Sequence, residues 1–135
     1  MSYLRSLGAA LVLACSTQLV QPAHAAPQPI VRTLMQQDVA DAPGKELVML
    51  SVDYPPGTVE SIHRHDAQAL VYVLDGTVVM QVRGGEQVTL TPGQTFYEGP
   101  NDVHTVGRNA STTAPAKFVV VLLKKKGAPL QLPAE

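Results

Sequence analysis

Three histidines are the residues of this chain best suited to binding a metal ion. His63 and His65 are two positions apart, and side chains two apart in an extended strand point to the same face. Two imidazoles on one face can bind one ion, and His104 offers a third ligand. Three histidines with an open position are one known set for catalytic zinc, whereas non-haem iron prefers two histidines and a carboxylate. The spacing therefore predicts a divalent metal site.

An extended segment has to hold the two closely spaced histidines, and the sequence around them indicates one. Apolar, β-branched runs alternate with turn signals rich in Gly, Pro, Asn and Asp. The predicted strands cover residues 47–53, 58–65, 70–74, 77–83, 87–90, 95–98, 103–108 and 117–123. Residues 30–39 are interpreted as an edge strand or one helical turn. Many short strands without a convincing helix predict an all-β sandwich or barrel.

Two dipeptides predict hairpins between neighbouring strands. Asp75-Gly76 separates the strands at 70–74 and 77–83, and Asp-Gly suits a two-residue turn whose central residues both have positive φ. Gly84-Gly85 separates the next two strands in the same way. The histidine-bearing segment is therefore expected to lead into a hairpin.

The histidine pair belongs to a longer spacing pattern. Gly57 is followed by five residues and His63, one residue and His65, three residues and Ala69, then six residues and Gly76. This stretch resembles the first motif of the cupin family, G-x5-H-x-H-x3,4-E-x6-G. Every spacing fits, and only the glutamate is missing.

A later stretch resembles the second cupin motif, G-x5-P-x-G-x2-H-x3-N. Gly93 and His104 match this motif, Gly99 and Asn101 stand where proline and glycine are expected, and Arg108 replaces the final asparagine. Asn101 is compatible with the positive φ that glycine would provide. The two motifs together span residues 57–108.

The resemblance implies a single cupin domain over residues 26–135, folded as a double-stranded β-helix, or jelly-roll barrel. It also implies a divalent ion (zinc, manganese, iron or nickel) held inside the barrel by His63, His65 and His104. Cupin relatives include dioxygenases, isomerases and decarboxylases that act on small molecules. Because single-domain cupins commonly pair, a homodimer is expected.

The missing motif glutamate raises the question of which residue replaces it. Ala69 has no ligand atom, whereas Gln68, one residue earlier, offers a neutral oxygen as a candidate metal ligand. Glu60 and Glu98 are the nearby carboxylates. Glu98 lies just before the turn into the His104 strand and is the better candidate, either as a direct ligand or as a general base. Without a carboxylate ligand, the site resembles a three-histidine centre more than a facial triad.

The first 25 residues resemble a secretory signal peptide. Arg5 is followed by the apolar run 7–15, which is too short to span a bilayer, and Ala23-His24-Ala25 is a small-x-small cleavage site. We expect cleavage after Ala25 and a periplasmic or secreted protein. The alternatives are a membrane-anchoring helix and a lipoprotein cleaved before Cys15. Cys15 is the only cysteine, so cleavage after Ala25 also excludes disulfides and thiolate chemistry.

Charge and composition argue against nucleic acid or acidic lipid as a partner. The formal net charge is −1 and the chain has no Trp, so neither an attracting field nor an aromatic stacking surface is indicated. Three functions remain: a metal-dependent enzyme acting on a small molecule, a non-catalytic module that binds a metal or small ligand, and a partner-binding domain with a vestigial site. The histidines at motif spacing argue against the third.

Overall fold

A computed structural model describes residues 25–135, which form ten β-strands and no helix. The strands are β1 (Ile30–Asp38), β2 (Lys45–Tyr54), β3 (His63–Arg64), β4 (Ala67–Asp75), β5 (Val78–Val82), β6 (Val88–Leu90), β7 (Thr95–Glu98), β8 (Val103–Asn109), β9 (Ala116–Lys125) and β10 (Leu132–Pro133). Over this range no helix is long and apolar enough to cross a membrane. Apart from Ala25, the predicted signal peptide lies outside the described residues.

The strands form two five-stranded antiparallel sheets that face each other. The first sheet has the order β1-β2-β9-β4-β7, and the second has the order β10-β3-β8-β5-β6. Burial alternates along β4 and β9, because successive side chains of a strand point to opposite faces. The inward face supplies a core of valine, leucine, methionine and phenylalanine side chains, and each one buried stabilises the fold by about 1.5–3 kcal/mol. The all-β prediction is confirmed.

The hairpin predicted at Asp75-Gly76 is wrong. The strand before it, β4, belongs to the first sheet, whereas β5 belongs to the second, so the turn carries the chain from one sheet to the other. Gly76 has φ 70°, but no non-glycine residue in the described range has positive φ. A Cβ at Gly76 would lie 2.5 Å from the carbonyl oxygen of Pro115. Glycine is therefore required where the chain passes close to Pro115 on its way from one sheet to the other. A local turn signal does not distinguish such a crossing from a hairpin.

Other local predictions have mixed outcomes. The hairpin at Gly84-Gly85 is confirmed, because β5 pairs with β6 in antiparallel fashion. The segment at 30–39 is an edge strand paired to β2, whereas only His63 and Arg64 of the predicted strand 58–65 form a strand. Asn101 does not adopt positive φ, so it does not reproduce the backbone of a motif glycine.

The C-terminal segment, residues 126–135, is anchored beside the histidines by a buried ion pair. Lys124 Nζ lies 2.5 Å from Glu46 Oε1, and both side chains are almost fully buried. The Lys124 ammonium also donates to the carbonyl of Ala128, and Glu46 accepts from the backbone N–H of Gly127. Beyond this anchor, β10 pairs with β3, with Pro133 opposite His63. Lys124, the first of three consecutive lysines, is thus buried rather than solvated.

Candidate metal centre

The fold brings His63, His65 and His104 together on the inner side of the second sheet. His63 and His104 are directly opposite each other in the antiparallel pairing of β3 with β8. Their ring centroids are 4.8 Å apart, and those of His63 and His65 are 4.9 Å apart. His63 Nε2 lies 3.3 Å from His104 Nδ1. His63 thus lies next to both of the other imidazoles.

Two carboxylates complete the cluster. Glu98, at the end of β7, places Oε2 3.6 Å from His104 Nδ1 and 4.0 Å from His65 Nε2. Glu60 lies in the segment before β3. Ligand atoms lie within 4.8 Å of one another in two overlapping triplets, Glu60/His63/His104 and His63/His65/Glu98. The donor set is therefore histidine and carboxylate rather than histidine alone.

Backbone carbonyls orient two of the imidazoles. His63 Nδ1 lies 3.0 Å from the carbonyl oxygen of Ser61, and His65 Nδ1 lies 2.5 Å from that of Leu130. A carbonyl only accepts, so each Nδ1 carries the proton and each Nε2 keeps its lone pair for a ligand bond. The second contact comes from the C-terminal segment, so that segment takes part in building the site.

Burial keeps the histidines neutral. Desolvation lowers the pKa of His63 and of His65, and it lowers the pKa of His104 to about 4, with nearby His63 adding to the effect. Neutral imidazole is the form that binds a metal. At neutral pH the three rings are therefore ready to act as ligands without first losing a proton.

The pKa values of the two carboxylates are raised. Desolvation raises the pKa of Glu98 to about 7, and the carboxylates of Glu60 and Asp102 add to the rise. Desolvation also raises the pKa of Glu60, although the Tyr54 hydroxyl, 2.5 Å from Oε2, donates a hydrogen bond that opposes the rise. Tyr54 is itself fully buried, and burial raises the pKa of its phenol, so it stays a donor.

Two buried polar atoms of the cluster have no hydrogen-bond partner, and one of them, Glu98 Oε2, lies among the candidate ligand atoms. Glu98 Oε2 and His104 Nε2 are buried without a hydrogen-bond partner, and an unpaired buried polar atom costs about 1–3 kcal/mol. Two ligand atoms about 2.1 Å from a tetrahedral ion are about 3.4 Å apart, close to the 3.3 and 3.6 Å that separate His104 Nδ1 from His63 Nε2 and from Glu98 Oε2. An ion at this point would bind Nδ1 of His104 rather than its unpaired Nε2. The residues present fit a divalent cation.

The cluster opens into a cavity of about 210 Å³. Most of its wall is apolar and is contributed by both sheets; this part includes Leu50, Val52, Val71, Met80, Phe118 and Val120. No Lys or Arg is among the described residues that line it. Leu130 and Gln131 of the C-terminal segment also border the cavity. Its size and lining suit a small molecule that is mainly apolar.

Of the two other predicted site residues, Gln68 lies outside the cluster and Glu98 lies within it. Gln68 lies on the outer face of β4 and is exposed, because it alternates with the buried Ala67 and Ala69. It therefore cannot serve as a ligand of this cluster, which corrects the expectation. Glu98 lies within the cluster, where sequence reasoning placed it as ligand or base.

The sequence analysis ranked Glu60 below Glu98 and did not identify Gly107. Glu60 precedes His63 by three residues but lies outside any strand, so its direction could not be read from an alternating pattern. A Cβ at Gly107 would lie 2.8 Å from Glu60 Oε2 and 3.0 Å from His104 Cε1. The only available signal was the position of Gly107 three residues after a candidate ligand.

Comparison with known structures supports the fold. A conserved Klebsiella pneumoniae protein with a double-stranded β-helix domain is 21% identical, with a TM-score of 0.62 over 86% of this chain and 91% of that one. A Bordetella pertussis cupin domain is 22% identical, with a TM-score of 0.55 over 74% of this chain and 97% of that one. At these identities the likeness shows the fold alone.

A third similar structure is an enzyme with a longer chain. The DMSP lyase DddQ from Ruegeria pomeroyi is 19% identical, with a TM-score of 0.57. The match covers 65% of this chain but only 43% of the lyase, so this chain spans less than half of that enzyme's length.

Sequence comparison identifies the family. No curated protein matches the sequence. The family described as Cupin domain matches residues 50–122, a segment that includes all three clustered histidines and Glu98. Because this segment is more than half of the chain, the protein belongs to the cupin family.

Proposed function

We propose that this cupin binds a divalent metal ion through His63, His65 and His104 and presents it to a small molecule in the cavity. The observation that carries the proposal is the clustering of three neutral imidazoles with the buried Glu98 Oε2, which lacks a hydrogen-bond partner. The apolar cavity beside them supplies the volume for a ligand.

A metal-dependent enzyme of the oxygenase, isomerase or decarboxylase type is the activity we favour. A bound ion would polarise a substrate oxygen or activate water or oxygen. The chain itself supplies an acid–base group: the Glu60 carboxylate faces the cavity, has a raised pKa and is held by the Tyr54 hydroxyl. The apolar walls exclude water and keep a mainly apolar substrate next to this carboxylate. The lack of Lys and Arg in the described lining favours a neutral substrate over an anionic one.

A non-catalytic metal or ligand-binding module is the second candidate. The observation that favours it is the alanine at position 69, where the family motif carries a glutamate. In this case the same cluster would hold an ion, or an ion with a small ligand, for sensing, storage or delivery.

Elemental analysis of the purified protein, followed by metal titration of the apo form, tests the metal site. We expect one divalent ion per chain in the wild type, loss of the ion in His104→Ala, and retention in the matched control Gln68→Ala, whose side chain is outside. Iron or manganese would favour oxygen chemistry, and zinc a hydrolytic or structural role. Metal-dependent turnover of a small-substrate panel that His104→Ala abolishes identifies the enzyme; ligand binding without turnover identifies the module.

We propose a periplasmic or secreted location, with residues 1–25 removed as a signal peptide. Support comes from the positive residue, the short apolar run and the Ala23-His24-Ala25 site. Mass spectrometry of the protein recovered from the extracytoplasmic fraction is expected to show an N-terminus at Ala26. A lipid-modified N-terminus at Cys15 would instead identify a lipoprotein.

We also propose that the protein forms a homodimer through β1. All nine residues of this edge strand are exposed, and Leu34, Met35 and Ile30 keep about half of their area in solvent. Sedimentation equilibrium of Leu34→Glu is expected to give a monomer. The matched control Leu70→Glu, on the outer face of β4, is expected to remain dimeric. A wild-type monomer would refute the proposal.

A further inference from the structure

The metal centre contains a carboxylate on a different strand from the one that the family motif uses. Resting on the metal-binding function proposed above, we propose that Glu98 of β7 is a direct metal ligand. It would replace, from the neighbouring strand, the glutamate that is absent at Ala69 of β4.

The pairing register makes this exchange geometrically possible. Ala69 and Glu98 are direct partners in the antiparallel pairing of β4 with β7. Residues directly opposite each other in such a pair have Cβ atoms about 5 Å apart and on the same face of the sheet. Both positions face inward, because Ala69 is fully buried and Glu98 is 3% exposed. A carboxylate at the end of a glutamate side chain can therefore reach the same point from either strand.

The surroundings of the Glu98 carboxylate are those expected for a metal ligand. Its Oε2 is buried without a hydrogen-bond partner and lies near His104 Nδ1 and His65 Nε2. No Lys or Arg of the described chain forms a salt bridge with it. A buried carboxylate is retained at acceptable cost when it is paired or bound to a metal.

The other two candidates for the missing ligand, Gln68 and Glu60, do not lie opposite Ala69 in the pairing of β4 with β7. Gln68 lies on the outer face of β4. Glu60 Oε2 accepts a hydrogen bond from the Tyr54 hydroxyl at 2.5 Å. The small methyl group of Ala69 leaves room for the Glu98 carboxylate on the paired strand.

A strand-to-strand exchange of the carboxylate tests the proposal without relying on activity. The variants are Glu98→Ala, the double variant Ala69→Glu/Glu98→Ala, and Gln68→Ala as a control. Each is stripped of metal and titrated with Co²⁺, with affinity measured by calorimetry and the ligand set followed by the visible absorption of the bound ion. Unfolding transitions verify that each variant is folded, and Glu98→Gln replaces Glu98→Ala if the smaller side chain destabilises the fold.

We expect Glu98→Ala to weaken Co²⁺ binding at least tenfold and change the visible spectrum. The double variant should recover most of the affinity and restore a spectrum close to that of the wild type, while Gln68→Ala binds normally. Normal binding by folded Glu98→Ala, or a double variant no tighter than Glu98→Ala, would overturn the proposal while leaving the metal centre standing. A wild-type protein that binds no metal would instead refute the proposed function itself.

Discussion

At the residue scale, Gly107 of β8 packs closely against Glu60, His104 and Tyr54. An added Cβ would meet Glu60 Oε2 at 2.8 Å, His104 Cε1 at 3.0 Å and the Tyr54 hydroxyl at 3.3 Å. Its φ is not in the positive range, so only space, and not backbone conformation, requires glycine. Because Gly107 has no side chain, Glu60, the Tyr54 hydroxyl and the His104 imidazole can pack together.

Gly107→Ala should therefore weaken metal binding more than it weakens the fold. Glu60 can swing away from the new methyl group, so we expect a stability loss of about 1 kcal/mol. Displacing His104 should lower metal affinity about tenfold or more, as loss of an orienting partner does. Calorimetric titration and urea unfolding measure the two effects. Gly85→Ala, in the exposed β5–β6 hairpin, is the control, and equal affinity in both variants would contradict the prediction.

Glu98 makes the stability of the metal-free protein depend on pH. Desolvation raises its pKa to about 7, and the nearby carboxylates of Glu60 and Asp102 add to the rise. A raised pKa means that the folded state favours the protonated form. The contribution of Glu98 to stability is therefore complete below its ordinary pKa of 4.5 and is lost as the pH rises through about 7.

Glu98→Gln, which cannot ionise, should remove this dependence. Relative to the wild type, the metal-free variant should gain about 2–3 kcal/mol between pH 5 and pH 8, because one pKa unit corresponds to about 1.4 kcal/mol. The titration of the histidines is common to both proteins and largely cancels in the comparison. Urea unfolding in the presence of a chelator at the two pH values measures the difference, and a constant difference would contradict the assignment.

At the element scale, the C-terminal segment is part of the candidate metal centre. The Lys124–Glu46 ion pair holds its start, the carbonyl of Leu130 fixes the His65 ring, and β10 closes the sheet beside His63. Among the described residues, none of the core cluster comes from this segment. Its contribution is thus to the geometry of the site more than to the stability of the barrel.

Deleting residues 130–135 should accordingly impair metal binding and leave a folded domain. Without the Leu130 carbonyl, the His65 ring can turn and exchange its tautomer, so we expect affinity to fall about 10- to 100-fold. Deleting only residues 134–135 keeps both Leu130 and β10 and serves as the matched control. Metal titration and thermal unfolding of both truncations provide the measurement. Unchanged affinity in the longer truncation would show that the segment does not position His65.

Strands and their pairing also show what could and could not be predicted from the sequence. Strands such as β4, β7 and β9 were predictable because β-branched runs bounded by turn residues are local signals. The crossing at Asp75-Gly76 was not, since the choice between pairing and crossing depends on contacts with Pro115, far along the chain. Likewise, the spacing indicated the three histidines. The position of Glu60 beside them depends on the irregular path of the chain before β3, which the spacing does not reveal. The pairing of Glu98 with Ala69 depends on a register that only the folded sheet defines.

At the scale of the whole molecule, two sheets enclose one buried cluster of ionisable groups, and this arrangement is costly without a cation. Three imidazoles and two carboxylates lose solvation in the barrel. An ion that binds only the folded state must stabilise the whole cooperative domain, since both sheets contribute ligands. Metal binding and global stability are therefore expected to be coupled.

Saturating metal should raise the melting temperature of the apo protein and should not raise that of His104→Ala. At a free metal concentration 100 times Kd, the gain is about 2.7 kcal/mol, which for a domain of this size corresponds to roughly 8–16 °C. Gln68→Ala should shift as the wild type does, because its side chain is outside the barrel. Differential scanning calorimetry across a metal titration gives the measurement. Equal shifts in His104→Ala and the wild type would place the bound ion elsewhere on the molecule.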